Sequence, residues 1–395
     1  MESAGPAHVA TASFLASRAA PTGGFWVALA GGTALARVAQ RRGAREGYGA
    51  SVAATLETVA IMGPARFGVP FTQAVSAPML GSMEARGVHP WLQILACAAV
   101  RVLTNSIGVA FFIWVIAGGL DAYAGTYDNV VERFGFTLGE GGTLALTGFG
   151  LLAWGAFASW VQVGVYRRGL ASWPAEDHET EFEERPEPAR RGRFDPRAVL
   201  AAAAIAFALL LSGTEWVLLG GVAAWLALAW LTCRPDNSVV PTGLALGAVL
   251  AGGALFFTLV GGLGLDEAMR RALRALLLVA VATWLRAAAG APGLREVWRR
   301  GLGRLSRVPS VREAAGTLDR IGSEGRLAAS GRALVDALRE VPRRPLPILD
   351  AVLGWVADRS ARFAPSAPAT PLALRARTVD LVLVLAAGSV LALAV

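Results

Sequence analysis

The residues best placed to do chemistry are polar side chains inside apolar runs. Glu57 lies in SVAATLETVA, beside Thr58 and near Thr55. Arg101 lies in VRVLTNSIG with Thr104 and Asn105. An ionised group in hydrocarbon is expensive unless it is paired or faces protein. A Glu and an Arg on neighbouring spans can form a buried pair, which lowers the cost of both. Such a pair is an inter-helix staple or part of a substrate or ion site; an Arg close to an interface can instead snorkel to it. Gln73 and Glu84 fall in GPARFGVPFTQAVSAPMLGSMEARG, residues 63–87, punctuated by Pro64, Pro70 and Pro78. That spacing argues against one clean helix and for a short span, a re-entrant segment or a surface helix pair. Irregular backbone at membrane depth must line protein or a cavity, so 63–87 is the first choice for a functional element. A plain surface loop with amphipathic turns is the alternative.

Catalytic constellations are poor. His8, His89 and His178 share no metal spacing with each other, with a Cys or with an acid. No Walker A pattern is present. Ser76 and Ser106 have no histidine base in view. No catalytic residue, metal or cofactor is expected, and the chain reads as a non-enzyme. Cys97 and Cys233 read as two free thiols beside apolar runs. His8 sits ahead of the first span, in a segment expected to be mobile.

These residues must be positioned by membrane helices. The chain has 395 residues, 54% hydrophobic and 17% charged, with a mean hydropathy of +0.50. A soluble protein carries about a quarter charged residues, and several apolar runs here approach the ~20 residues that cross a bilayer as helix. This excludes a soluble enzyme and a secreted disulfide-stapled domain. All 37 basic residues are Arg, and the net charge is +8. The arginines lie in loops and one long segment between apolar runs, the pattern of a positive-inside membrane protein and not of a nucleic-acid binder. Residues 1–23 lack the basic start and apolar centre of a signal peptide, so the first span is expected to act as the insertion signal.

The reading is an all-α polytopic protein of about ten spans in a bacterial inner membrane. Residues 1–166 form a first membrane domain of four or five spans. Residues 167–197 form a charged cytoplasmic linker with little to bury. Residues 198–395 form a second membrane domain, in which 294–377 hold 16 arginines and 8 acids on helical spacing. Those helices are expected in the cytoplasm, between the last two spans. They either dock a partner through Trp298, Arg299, Arg300, Arg304 and Arg339, with Leu334 and Leu338 on one face, or lie on the inner leaflet. Arg270, Arg271 and Arg274 fall at the outer end of a span, where Asp266 or Glu267 could pair with them.

Phe194-Asp195-Pro196-Arg197, four apolar runs, a long basic helical segment and a final span follow in an order that resembles the transmembrane T component of energy-coupling factor transporters. That family opens on a motif close to L-D-P-R-x-K; here Ala198 and Val199 follow Arg197. The stretch from Arg270 to Arg286, continuing through LREVWRRGLGRLSRVP, is similar in layout to the family's Arg-rich fourth span and basic helices. The resemblance covers about 195–395. It implies cytoplasmic ATPase subunits as partners, docked in that family by Ala-Arg-Gly motifs. The nearest candidates here are Arg300-Gly301 and Ser323-Glu324-Gly325-Arg326, while Ala85-Arg86-Gly87 lies in the other half. The expected function is a permease or coupling component of a small-molecule transport complex; the alternative is a non-catalytic subunit anchoring a larger membrane complex.

Overall fold

A computed structural model describes residues 3–19, 24–64, 69–173, 193–233, 239–342, 344–363 and 372–394. Most of the charged linker, residues 174–192 with His178, lies outside the described residues, as do 65–68 and 364–371. Among the described residues the chain is all-helical. The helices are α1 (Ala4–Ala19), α2 (Gly24–Arg42), α3 (Ala44–Met62), α4 (Val69–Ala85), α5 (Pro90–Phe111), α6 (Leu120–Val131), α7 (Gly139–Ala171), α8 (Pro196–Ser212), α9 (Trp216–Thr232), α10 (Val240–Val260), α11 (Leu265–Arg304), α12 (Pro309–Leu318), α13 (Glu324–Arg339), α14 (Pro345–Ala361) and α15 (Thr378–Ala394). A π-helical turn, Phe112–Ala117, extends α5. Prolines open several of them: Pro90, Pro196, Pro309 and Pro345 occupy first-turn positions, where the missing N–H would have no helical partner anyway.

Among the described residues, four helices are long and apolar enough to cross a membrane: Pro90–Ala117, α7, α10 and α11. The shorter apolar helices are α8, α9 and α15. Large apolar side chains on α5, α7 and α10 point outward, among them Trp91, Leu103, Phe149, Leu152, Leu244 and Val249. A contiguous apolar surface of this size is a liability in water and the normal face of a protein in lipid. By contrast, 78% of the apolar stretch of α11 is buried, so α11 is the central mast.

Two cores form around it. One gathers side chains of α1–α5 and α7 together with Leu318, Ile321, Leu327, Leu334, Leu349, Val352 and Val356 of the late helices. The other packs α8, α9 and α15 on α11 and takes in Ala60 of α3. The apolar faces of α12–α14, expected to meet a partner or the leaflet, therefore meet α1–α3. The segment ahead of the first apolar run, expected to be mobile, is instead helix α1, with Ala7, Val9, Ala10, Ala12 and Phe14 fully buried. Its small side chains let neighbouring helices close over it, which a search for long apolar runs overlooks.

The proline-broken stretch also differs from expectation. Residues 69–85 are one helix, with Pro78 inside it. Proline cannot donate to the carbonyl four residues back, which leaves Ala74 O without its helical partner. The Ser51 hydroxyl on α3 donates to that oxygen at 2.6 Å. Farther along α4, Gly81 lies directly on the α2 backbone: a Cβ there would sit 1.9 Å from Ala36 O. Gly81→Ala will force these helices apart and destabilise the protein by about 1–3 kcal/mol, the usual penalty of overpacking. Gly252→Ala on α10, where a methyl meets nothing, will be neutral or stabilising by up to about 1 kcal/mol. Paired thermal melts in detergent check this; equal midpoints for the two variants would remove the close-contact argument.

Candidate functional site

Arg101, on α5, is the side chain around which a polar interior forms. It is 6% exposed. Its Nη2 donates to Gln162 Oε1 of α7 at 2.7 Å. Gln162 Nε2 donates in turn to Ser76 Oγ of α4 at 2.7 Å, and Ser76 donates to Thr72 O. Thr72 and Thr104 join α4 to α5 through their hydroxyls at 3.1 Å. Tyr166, one turn beyond Gln162, presses its phenol against Gly32 of α2, where a Cβ would lie 1.9 Å from the hydroxyl. Among the described residues Arg101 meets no carboxylate. Arg101 Nε, Gln73 Oε1 and Ser159 Oγ are buried there without hydrogen-bond partners among the described residues. A buried cation surrounded by neutral dipoles and unused polar atoms can take an anion or a strongly polar solute far better than it can take hydrocarbon.

A second, ionic junction ties α3 to α11 and α13. Glu57 is fully buried and receives both Nε and Nη2 of Arg295, Nε at 2.7 Å. Arg295 Nη2 also donates to Gly322 O at 3.2 Å. Nine residues earlier on α11, Arg286 donates to Ile61 O at the end of α3 and to Glu324 of α13, at 2.7 and 2.8 Å. Between the two arginines α11 kinks at Gly290, whose φ of 68° lies in the left-handed region. Glu57 and Arg101, expected as a candidate pair, thus have separate partners. Periodicity along one segment cannot reveal a partner more than two hundred residues away.

The chain matches no known family model, no curated protein and no solved structure.

The remaining predicted residues scatter. Glu84 receives Gln93 Nε2 at 2.7 Å and Arg167 at 3.4 Å. Gln73 lies buried beside the Arg101 network, and Asn105 is half-buried on α5 with no hydrogen bond among the described residues. Arg299 and Arg300 both fold back on Glu296, and Arg300 also donates to Leu372 O at 2.9 Å. Trp298 packs between the two cores. Arg304 is exposed, and Arg339 pairs locally with Asp336. The arginines at the start of α11 find the acids named for them: Arg270 meets Asp266 at 2.7 Å and Arg271 meets Glu267 at 2.5 Å. Arg274 donates to Val115 O and Trp114 O of the π turn, carbonyls that a helix end leaves open.

Sequence reasoning missed Gln162, Ser159 and Tyr166. The signal was there. They stand at spacings of three and four inside ASWVQVGVY, which puts them on one face of an otherwise apolar helix.

Proposed function

We propose that this chain is the permease or coupling component of a small-molecule transport complex in the bacterial inner membrane, driven by a separate cytoplasmic ATPase. The observation that carries the reading is Arg101: a buried cation on a membrane-length helix, answered only by neutral polar groups on α4 and α7. The Glu57–Arg295 pair and the Arg286–Ile61 hydrogen bond give coupling a physical route, because they join α3 to both sides of the α11 kink. The finer topology of about ten spans, with α12–α14 on the cytoplasmic side, belongs to this proposal. So does the resemblance of the second half to a transporter T component. In this scheme the ATPase meets the exposed end of α11, where Arg304 and Arg307 flank Leu305 and Val308.

Affinity purification from native membranes tests it. The wild-type chain will bring down a P-loop ATPase. Arg304→Glu with Arg307→Glu will insert normally and lose that partner. Arg101→Gln, in the same preparation, will keep the ATPase but lose stimulation of its hydrolysis by substrate. A purification that yields no ATPase, with any partners retained regardless of Arg304 and Arg307, sinks the coupling reading. That result would favour an anchoring subunit, the reading that suits α12–α14 burying their apolar faces within the chain itself.

A further inference from the structure

A cavity of about 220 Å³ opens where α8 and α15 begin and α11 kinks. Its walls are Phe194, Asp195, Pro196, Ala289, Gly293 and the segment that leads into α15, and Arg193, Arg375 and Arg377 stand around it. The acids nearby are already engaged. Asp195 caps α8 by accepting from Arg197 N at 2.9 Å and holds the Arg197 side chain through both oxygens, at 3.0 and 2.9 Å. These hydrogen bonds from Arg197 hold the Asp195 carboxyl below its ordinary range. Asp380, 3% exposed, accepts from Asp195 N at 2.8 Å and from Arg377 N at 2.7 Å. Among the described residues Arg193 reaches the backbone oxygen of Thr232, at 2.7 Å, and no carboxylate. Arg375 and Arg377 meet no carboxylate among the described residues.

The cavity also sits at a definite depth. Thr232 is the last residue of α9, whose final turns expose Leu228 and Leu231. On α15 the exposed Val379, Leu381 and Val382 begin immediately beyond Arg377. The arginines therefore stand at the rim of an apolar, lipid-facing surface. A pocket floored by apolar side chains and ringed by guanidinium groups that meet no carboxylate among the described residues matches, at that level, a phosphate with a hydrocarbon attachment.

We propose that this cavity is a phosphate-binding site, filled by the headgroup phosphate of an anionic phospholipid or by a soluble phosphate. The site is independent of the transport reading. The purified full-length chain, delipidated in a neutral detergent, tests it with four probes: phosphatidylglycerol, phosphatidylcholine, inorganic phosphate and glycerol 3-phosphate. Bound phosphorus per chain and the thermal midpoint are read for each. Phosphatidylglycerol will bind near one per chain above a phosphatidylcholine baseline and raise the midpoint. Arg375→Gln with Arg377→Gln will lower its affinity about tenfold or more, since each surface arginine carries a comparable share of an anionic contact. Arg332→Gln, elsewhere on the surface, will leave it unchanged. Saturable binding of the two soluble phosphates, lost in the same double variant, supports the site and names a soluble source. Binding of every probe that is equal in wild type and in the double variant, or no binding at all, overturns the proposal.

Discussion

Glu57→Ala will destabilise the protein by about 3–5 kcal/mol, the range for removing one partner of a buried ion pair. The reason is what the substitution leaves behind. Glu57 is fully enclosed, and Arg295 has only 19% of its side chain accessible. Without the carboxylate, the guanidinium keeps Gly322 O as its remaining acceptor and has little water to replace the lost charge. Arg295→Leu will cost a similar amount by stranding the carboxylate. The double variant Glu57→Leu with Arg295→Leu will recover most of the loss, because an apolar pair of similar volume removes both desolvation penalties. Unfolding of the wild type, Glu57→Leu, Arg295→Leu and the double variant in one detergent gives the coupling energy directly. Additive losses, with no recovery in the double variant, would show that Glu57 and Arg295 do not act as a pair. Should Glu57→Ala fail to accumulate, Glu57→Gln keeps the shape and a hydrogen bond, and the cycle runs on that variant.

The same pair marks the limit of what was legible in the sequence. Glu57 announces itself as an acid in one apolar run, and Arg101 as a base in another. Yet Arg295 reads as one more basic residue in an amphipathic segment, and nothing local says that it turns inward. The helices themselves were legible where an apolar run is long enough to cross a membrane. Residues 90–117, 139–171, 240–260 and 265–304 are the four membrane-length helices, and each covers an apolar run visible in the sequence. Helix α1 was not legible, because its buried face is mostly alanine and it is enclosed by α2 and α3 together with α13 and α14, over three hundred residues away. The continuity of α4 was hidden for a related reason: Pro78 breaks a helix by local rules, and the hydroxyl that serves the open carbonyl belongs to Ser51 on another helix. What sequence could not supply, in each case, was the tertiary partner of a polar group.

Acidification will weaken the fold through His8, and the sign follows from where its proton is bound. His8 is 1% exposed on α1. Its Nε2 lies 3.0 Å from Ser330 Oγ on α13, and its ring stacks at 4.5 Å on Phe363 just past α14. Its Nδ1 is buried without a partner among the described residues, so the neutral ring's one hydrogen bond is between Nε2 and the Ser330 hydroxyl. Burial, reinforced by the charges of Arg326, Arg359 and Arg295, pushes the pKa from 6.5 down to about 3. Below pH 6.5 the unfolded chain takes up a proton that the folded chain refuses. Stability from this group is therefore complete above pH 6.5 and falls with pH until the folded histidine itself titrates near pH 3. The slope is about 1.4 kcal/mol per pH unit, so about 2 kcal/mol is lost between pH 6.5 and pH 5. His8→Gln removes the titration, keeps a donor for Ser330, and will flatten the profile over that window. Urea unfolding of both proteins at pH 7, 6 and 5 decides the matter. Parallel profiles would mean that His8 is protonated in place, with the positive charge accommodated among Arg326, Arg359 and Arg295. The buried seam joining α1 to α13 and α14 would then have to hold water or an anion to bear it.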